Sequence, residues 1–277
     1  MTAQELYGQI LRKQSFLCVG LDSDIKKLPE HLLSAPNPLF SFNRAIIDAT
    51  AAYAVAYKPN VAFYEALGAS GWAQLEQTVQ YIRQHYPELF IIADAKRGDV
   101  GNTSRLYAEA FFSTMNVDAV TLSPYMGRDA VQPFLDYSGK WAVLLALTSN
   151  PSSTDFETLP LAGGQKLYET VLEKSAGWGT VDNTMYVVGA TQAAMLAGIR
   201  KIIPHHFLLV PGVGAQGGSL QEVVKYGRNE QVGLLVNSSR EIIFADNGHH
   251  FAQAAAEKAR EIQKIMSYEL DFRQSTC

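Results

Sequence analysis

Asp94-Ala-Lys96-Arg-Gly-Asp99 gathers carboxylates and cations directly behind the apolar run Leu89–Asp94. Residues two apart on a strand share a face, so this spacing points Asp94 and Lys96 the same way. A carboxylate beside an ammonium holds the lysine charged and aimed, which is what a proton donor requires. A structural ion pair is the simpler alternative. Asp99 lies in the loop beyond, and spacing leaves its direction open. A second group of residues lies further along. Val210-Pro-Gly-Val-Gly-Ala-Gln-Gly-Gly218 offers backbone amides, and Asn237-Ser-Ser-Arg240 reads as the opening of a short helix. Amides, a helix start and a guanidinium together suit an anion such as a phosphate. The pattern contains no His/Cys/Glu cluster at metal spacing and no Ser-His-Asp candidate. His205-His206 and His249-His250 are adjacent pairs that must point to different sides, and they read as structural or solvated.

Eight short runs must position these groups: Phe16–Asp22, Tyr53–Pro59, Leu89–Asp94, Val117–Ser123, Trp141–Ser149, Met185–Ala190, Phe207–Gly212 and Val232–Asn237. Most are continuous apolar stretches, as parallel strands buried on both faces should be. Helical patterns separate them. Trp72, Leu75, Val79 and Ile82 form one stripe, with Pro87 after its end, and Phe251, Ala255, Ile262 and Ile265 form another. A helix is expected from about Ser104 to Met115, with Asn102, Thr103 or Ser104 as its N-cap. Strands alternating with helices over this length predict one (β/α)8 barrel spanning residues 1–277. The rival, a doubly wound open sheet, would show a glycine fingerprint after its first strand, and Gly20-Leu-Asp22 is not one. In a barrel the chemistry sits where strands run out. Those ends read Asp22, Lys58, Asp94 with Lys96, Ser123, Ser149, Thr191, the Gly-rich loop and Arg240.

Composition narrows the class of function. The 277 residues are 47% hydrophobic and 18% charged with net charge −4, which excludes a disordered chain and gives no reason to expect a nucleic-acid or anionic-membrane partner. No apolar run approaches the roughly 18 residues of a membrane span, and no signal peptide is visible, so a soluble cytoplasmic protein is expected. Two cysteines make no disulfide framework. Cys18, inside an apolar run, reads as a buried thiol acting as a small hydrophobe.

Asp94-Ala-Lys96-Arg-Gly-Asp99-Val-Gly-Asn-Thr103 resembles the D-x-K-x-x-D-I-x-x-T signature of the orotidine 5′-phosphate decarboxylase family, in its longer bacterial (type 2) form. Val19-Gly-Leu-Asp22, Tyr57-Lys58-Pro-Asn60, Val210-Pro-Gly-Val-Gly and Ser239-Arg240 fall in the family's order. The resemblance implies a barrel homodimer that needs no cofactor or metal and converts orotidine 5′-monophosphate (OMP) to UMP and CO₂. It implies that Asp22 and Lys58 bind the ribose hydroxyls, that Asp94 pairs with Lys58 and lies beside the substrate carboxylate, and that Lys96 protonates C6. Asp99 and Thr103 would reach into the neighbouring subunit's site. Ser149 matches the position that reads the pyrimidine edge, and Gln216 and Arg240 match phosphate ligands. Two positions depart from the family: Val100-Gly101 replaces a common proline after the signature, and Gly214 stands where shorter members carry a basic residue. The connection Pro151–Asp182 is long, and the resemblance assigns it no role. Two rival readings remain. One is a Mg²⁺-dependent sugar-phosphate enzyme of similar barrel, which would carry an acidic ligand where this chain has Lys58. The other is a non-catalytic nucleotide-binding barrel.

Overall fold

The computed structural model describes residues 1–213 and 218–274, apart from the side chains at 192 and 272–274. The apolar runs form β1 (Leu17–Leu21), β2 (Ala56–Pro59), β3 (Phe90–Arg97), β4 (Ala119–Leu122), β5 (Trp141–Leu147), β6 (Thr184–Val188), β7 (Phe207–Pro211) and β8 (Leu234–Ser238). They follow one another in chain order around a closed parallel barrel, so the (β/α)8 expectation holds. β1, β2, β4, β6 and β8 are buried along their whole length, which is why their sequences do not alternate.

The chain groups into two compact units. The first comprises Gly8–Ala95, Met115–Val117 and the chain from Asn237 onward. Within it β1 pairs with β2 from Cys18↔Ala56 to Leu21↔Pro59, and β2 with β3 at Ala56↔Phe90 and Tyr57↔Ile91. Helices Pro38–Thr50, Gly68–His85 and Phe251–Gln274 belong to this unit. Phe42 joins two of its elements, stacking on Phe251 at 5.3 Å and on Phe244 at 5.6 Å. Beneath β1, buried Asn43 accepts from Ser23 Oγ at 2.6 Å and donates to Tyr64 Oη and Thr78 Oγ1. Cys18 is fully buried, and burial pushes its thiol up to about 12, so it behaves as the small hydrophobe expected.

The second unit comprises Met1–Tyr7, Lys96–Thr114 and Asp118–Val236. There β4 pairs with β5 from Ala119↔Trp141 to Leu122↔Leu144, and β6 lies between β5 and β7. Trp141 meets Phe207 edge-on at 6.3 Å. Arg200, deprived of water, donates to four carbonyls: Gly227, Ile203, His206 and Gly233. It thereby ties the approach to β7 and the start of β8 to one guanidinium.

Several boundaries differ from expectation. The second run begins as strand only at Ala56, because residues 51–53 form a turn. β3 continues past Asp94 to Arg97. The helix after it starts at Gly101, behind Val100 as N-cap, so Asn102, Thr103 and Ser104 do not cap it. It becomes a π-helix over Ala110–Thr114. On the last helix the buried stripe is Phe251, Ala255, Ala259, Met266 and Leu270, while Ile265 is exposed. Met266 is seated there with its sulfur accepting the Phe16 N–H at 3.4 Å. No helix among the described residues is long and apolar enough to cross a membrane.

Candidate active site

In the first unit Asp22, Lys58 and Asp94 converge. Lys58 lies within β2 and only 5% of it is exposed, yet it is a cation. Its Nζ donates to Asp94 Oδ2 at 2.7 Å and lies 3.9 Å from Asp22 Oδ1. Burial opposes the ammonium, but the Asp94 carboxylate and then the Asp22 carboxylate outweigh it and hold Lys58 above its ordinary range. The backbone supports this alignment, since Asp94 O accepts the Val61 N–H at 3.2 Å and Asn60 bridges to Asp94.

β8 brings further polar atoms to the same unit. Gly20 allows it: a Cβ there would fall 1.8 Å from Ser239 Oγ and 3.2 Å from Asn237 Oδ1. Asn237 donates through Nδ2 to Ser239 Oγ at 3.2 Å. Asp22 Oδ1, Asn237 Oδ1 and Ser238 Oγ are buried without a hydrogen-bond partner. Such groups are rare in native interiors and demand a reason. A ligand hydroxyl would donate to Asp22 Oδ1 and Asn237 Oδ1, and an anionic oxygen would accept from Ser238 Oγ. Arg240 follows at the head of the helix Arg240–Ile243. It lines a cavity of about 270 Å³ with Asp22, Asp24, Lys27, Asn60, Phe63 and Phe244. Asp22 and the phosphate candidate Arg240 therefore face one cavity. Lys27 and Phe244 were missed by sequence reasoning. Lys27 stands beyond the strand end on a 3₁₀ turn, where no strand-end rule points.

Lys96, Asp99, Thr103 and Ser149 belong to the second unit. Lys96 has φ of +47°, so the pleat alternation that set its expected direction ends at this residue. Its own N–H is fixed by Thr121 Oγ1 at 2.9 Å. The loop that follows is tied down as well. Arg97 O accepts the Ser123 N–H at 2.8 Å, and the Arg97 guanidinium lies over the rings of Tyr107 and Phe111 at 5.3 and 5.5 Å. Asp99 Oδ1 accepts the N–H of Val100, which orients the carboxylate at the start of the helix bearing Thr103. Thr103 is exposed, as are Val100, Leu106 and Tyr107 around it. Ser149 is half-buried just beyond β5. Gln216 and Gly214 lie outside the described residues. His206 is buried and His205 exposed, so that pair does point to different sides. Among the described residues no group of three or more His, Cys, Asp or Glu is arranged to hold a metal ion.

A closed parallel barrel with an Asp–Lys–Asp cluster at its strand ends and an arginine beside a small cavity defines a (β/α)8 protein with the charged groups of an enzyme site where its strands run out. The chain belongs to the orotidine 5′-phosphate decarboxylase / HUMPS family, whose model matches residues 15–256. It is 58% identical over 270 residues to the orotidine 5′-phosphate decarboxylase of Bacteroides fragilis, covering 98% of each chain. To that of Parabacteroides distasonis it is 61% identical over 267 residues, covering 96% of this chain and 95% of the relative. Among solved structures, the Leishmania donovani OMP decarboxylase superposes with a TM-score of 0.79 at 35% identity, covering 95% of this chain and 99% of the other.

Proposed function

We propose that the chain, acting as a single catalytic domain over residues 1–277, converts OMP to UMP and CO₂ without a cofactor, the last step of UMP synthesis. The observation that carries the reading is the buried Lys58 held between Asp94 and Asp22 in a chain of this family. Asp22 and Lys58 take the ribose hydroxyls, and Arg240 with Gln216 takes the phosphate. Ser149 reads the pyrimidine edge. Asp94 faces the substrate carboxylate, and Lys96, two residues further along the chain, faces C6. The bond from C6 to the carboxylate carbon breaks, its electron pair stays on C6, and the Lys96 ammonium delivers a proton there as CO₂ departs. No carbonyl adjoins that carbon in the right plane to delocalise the charge. A fixed ammonium therefore favours the transition state over the substrate, whose charge lies on the carboxylate.

The family description also covers HUMPS enzymes. Lys58 separates the two activities, because an ammonium between two carboxylates occupies the position where the sugar-phosphate enzymes carry an acidic Mg²⁺ ligand. We further propose a cytoplasmic homodimer. Val100, Leu106 and Tyr107 are exposed on the segment that carries Thr103 and begins just after Asp99, and covering that segment with a second copy would carry Asp99 and Thr103 to the neighbouring site. The cytoplasmic reading is supported by the phosphorylated substrate, which does not cross membranes unaided and is consumed in the compartment that makes it.

The test is the loss of OMP absorbance in the near ultraviolet, with purified protein in excess EDTA. Rapid conversion to UMP is expected. Absence of turnover with tight UMP binding would overturn the catalytic reading in favour of a nucleotide-binding barrel.

A further inference from the structure

β5 does not run evenly to its end: its register against β6 shifts between Leu145 and Leu147. An irregularity of this kind bends a strand and re-aims the residues that follow, here Thr148 and Ser149. Their direction is then set by what holds them. On one side, the Gly189 N–H donates to Leu147 O at 2.8 Å. A Cβ at Gly189 would lie 2.7–2.8 Å from Ser149 Cβ, Cα and N, so the end of β6 presses directly on Ser149.

On the other side stands Glu157, from the connection that leaves β5. Its Oε2 accepts the Thr148 N–H at 2.7 Å and its Oε1 the Thr148 hydroxyl at 2.8 Å. The hydroxyl has a single proton, for which Asn150 Oδ1 at 2.6 Å competes, so the backbone bond is the firmer of the two. Hydrogen bonds to a carboxylate are short and strong compared with neutral ones. Glu157 is itself pinned through its main chain. Its N–H donates to Ser153 O at 2.9 Å, and its carbonyl accepts from Tyr168 at 2.8 Å, at the start of the helix Leu167–Ala176.

We propose that Glu157 is a positioning residue that fixes the Thr148–Ser149 turn and so presents Ser149 to the pyrimidine edge of the nucleotide. The proposal rests on the function given above for the role of Ser149. It assigns a task to the long connection between β5 and β6. The phosphate end of the ligand is held by other residues, so the effect of Glu157 is confined to the base.

The experiment measures affinities for UMP and for ribose 5-phosphate, with kcat and KM for OMP, in the parent, Glu157→Ala, Glu157→Gln, Ser149→Ala and the Glu157→Ala/Ser149→Ala double variant. Glu157→Ala is expected to weaken UMP binding about tenfold and leave ribose 5-phosphate binding unchanged. Glu157→Gln keeps an acceptor oxygen and recovers most of the loss. In the Ser149→Ala background Glu157→Ala adds little, because both act through one group. Equal weakening of both ligands, multiplying effects in the double variant, or unchanged UMP affinity in Glu157→Ala would each overturn the proposal. A parent that binds UMP without turning over OMP refutes the decarboxylase reading, while the ratio of UMP to ribose 5-phosphate affinities still tests Glu157.

Discussion

His206 makes a prediction whose size follows from its surroundings. The ring is 9% exposed, neither ring nitrogen has a hydrogen-bond partner, and Tyr186 meets it edge-on at 5.5 Å. Burial, then the Arg200 guanidinium and His205, lower its pKa from 6.5 to about 4. The unfolded chain therefore binds a proton that the folded chain refuses between those two values. Its contribution to stability is complete above the unfolded pKa and is lost as the pH falls toward the folded one. At pH 5 the unfolded histidine is almost fully protonated and the folded one hardly at all, a loss of about 2 kcal/mol relative to pH 7.5. In His206→Phe, which keeps an aromatic ring and cannot titrate, that part of the pH dependence disappears. Urea unfolding of parent and variant at pH 5 and 7.5 reads the difference directly, and acid loss common to other groups cancels between the two chains. In thermal melts the same energy corresponds to roughly 3–4 °C. Equal acid destabilisation in both chains would refute the reasoning, as would the His206 resonance of the folded parent, assigned by its absence from the His206→Phe spectrum, titrating near 6.5.

Three other outcomes are expected. Lys96→Ala abolishes OMP turnover while leaving UMP binding largely intact, and a kinetic assay beside calorimetry separates the two; full activity in this variant eliminates the proton-donor role. Mixing inactive Asp99→Ala and Lys96→Ala chains restores activity through hybrid dimers, one of whose sites receives both intact residues. No recovery after mass spectrometry has confirmed subunit exchange counts against a shared site. Gly20→Ala drives a methyl group into Ser239 and destabilises the chain by about 1–3 kcal/mol in denaturant unfolding. Adding Ser239→Gly removes the obstructing side chain and restores most of that stability; a double variant no better than the single would show that the clash lies elsewhere.

The architecture was legible because its physics is local. Each strand of a parallel barrel is buried on both faces, so it is written as a short continuous apolar run, and charged residues such as Asp22 and Lys58 mark where it ends. Asp94, Lys96, Asp99 and Thr103 could be picked out as one motif for a similar reason, since they are close in the chain. Details that depend on the environment were not. Asn102, Thr103 and Ser104 are good N-cap types, yet the helix begins ahead of them because Val100 is already extended there. Lys96 belongs to a strand by sequence, but its positive φ takes it out of the alternation.

By itself the sequence determined the order of elements, the barrel class, the family and the inventory of charged groups. Only the tertiary structure decided which of those groups meet. That Lys58 bridges Asp94 and Asp22, that Gly20 makes room for Ser239, that Glu157 grips Thr148 and that His206 lies beside Arg200 are facts about residues brought together from separate elements. Hydrophobic periodicity records which side of an element is buried, while a hydrogen bond or an ion pair depends on distances of a few ångströms that no one-dimensional pattern encodes.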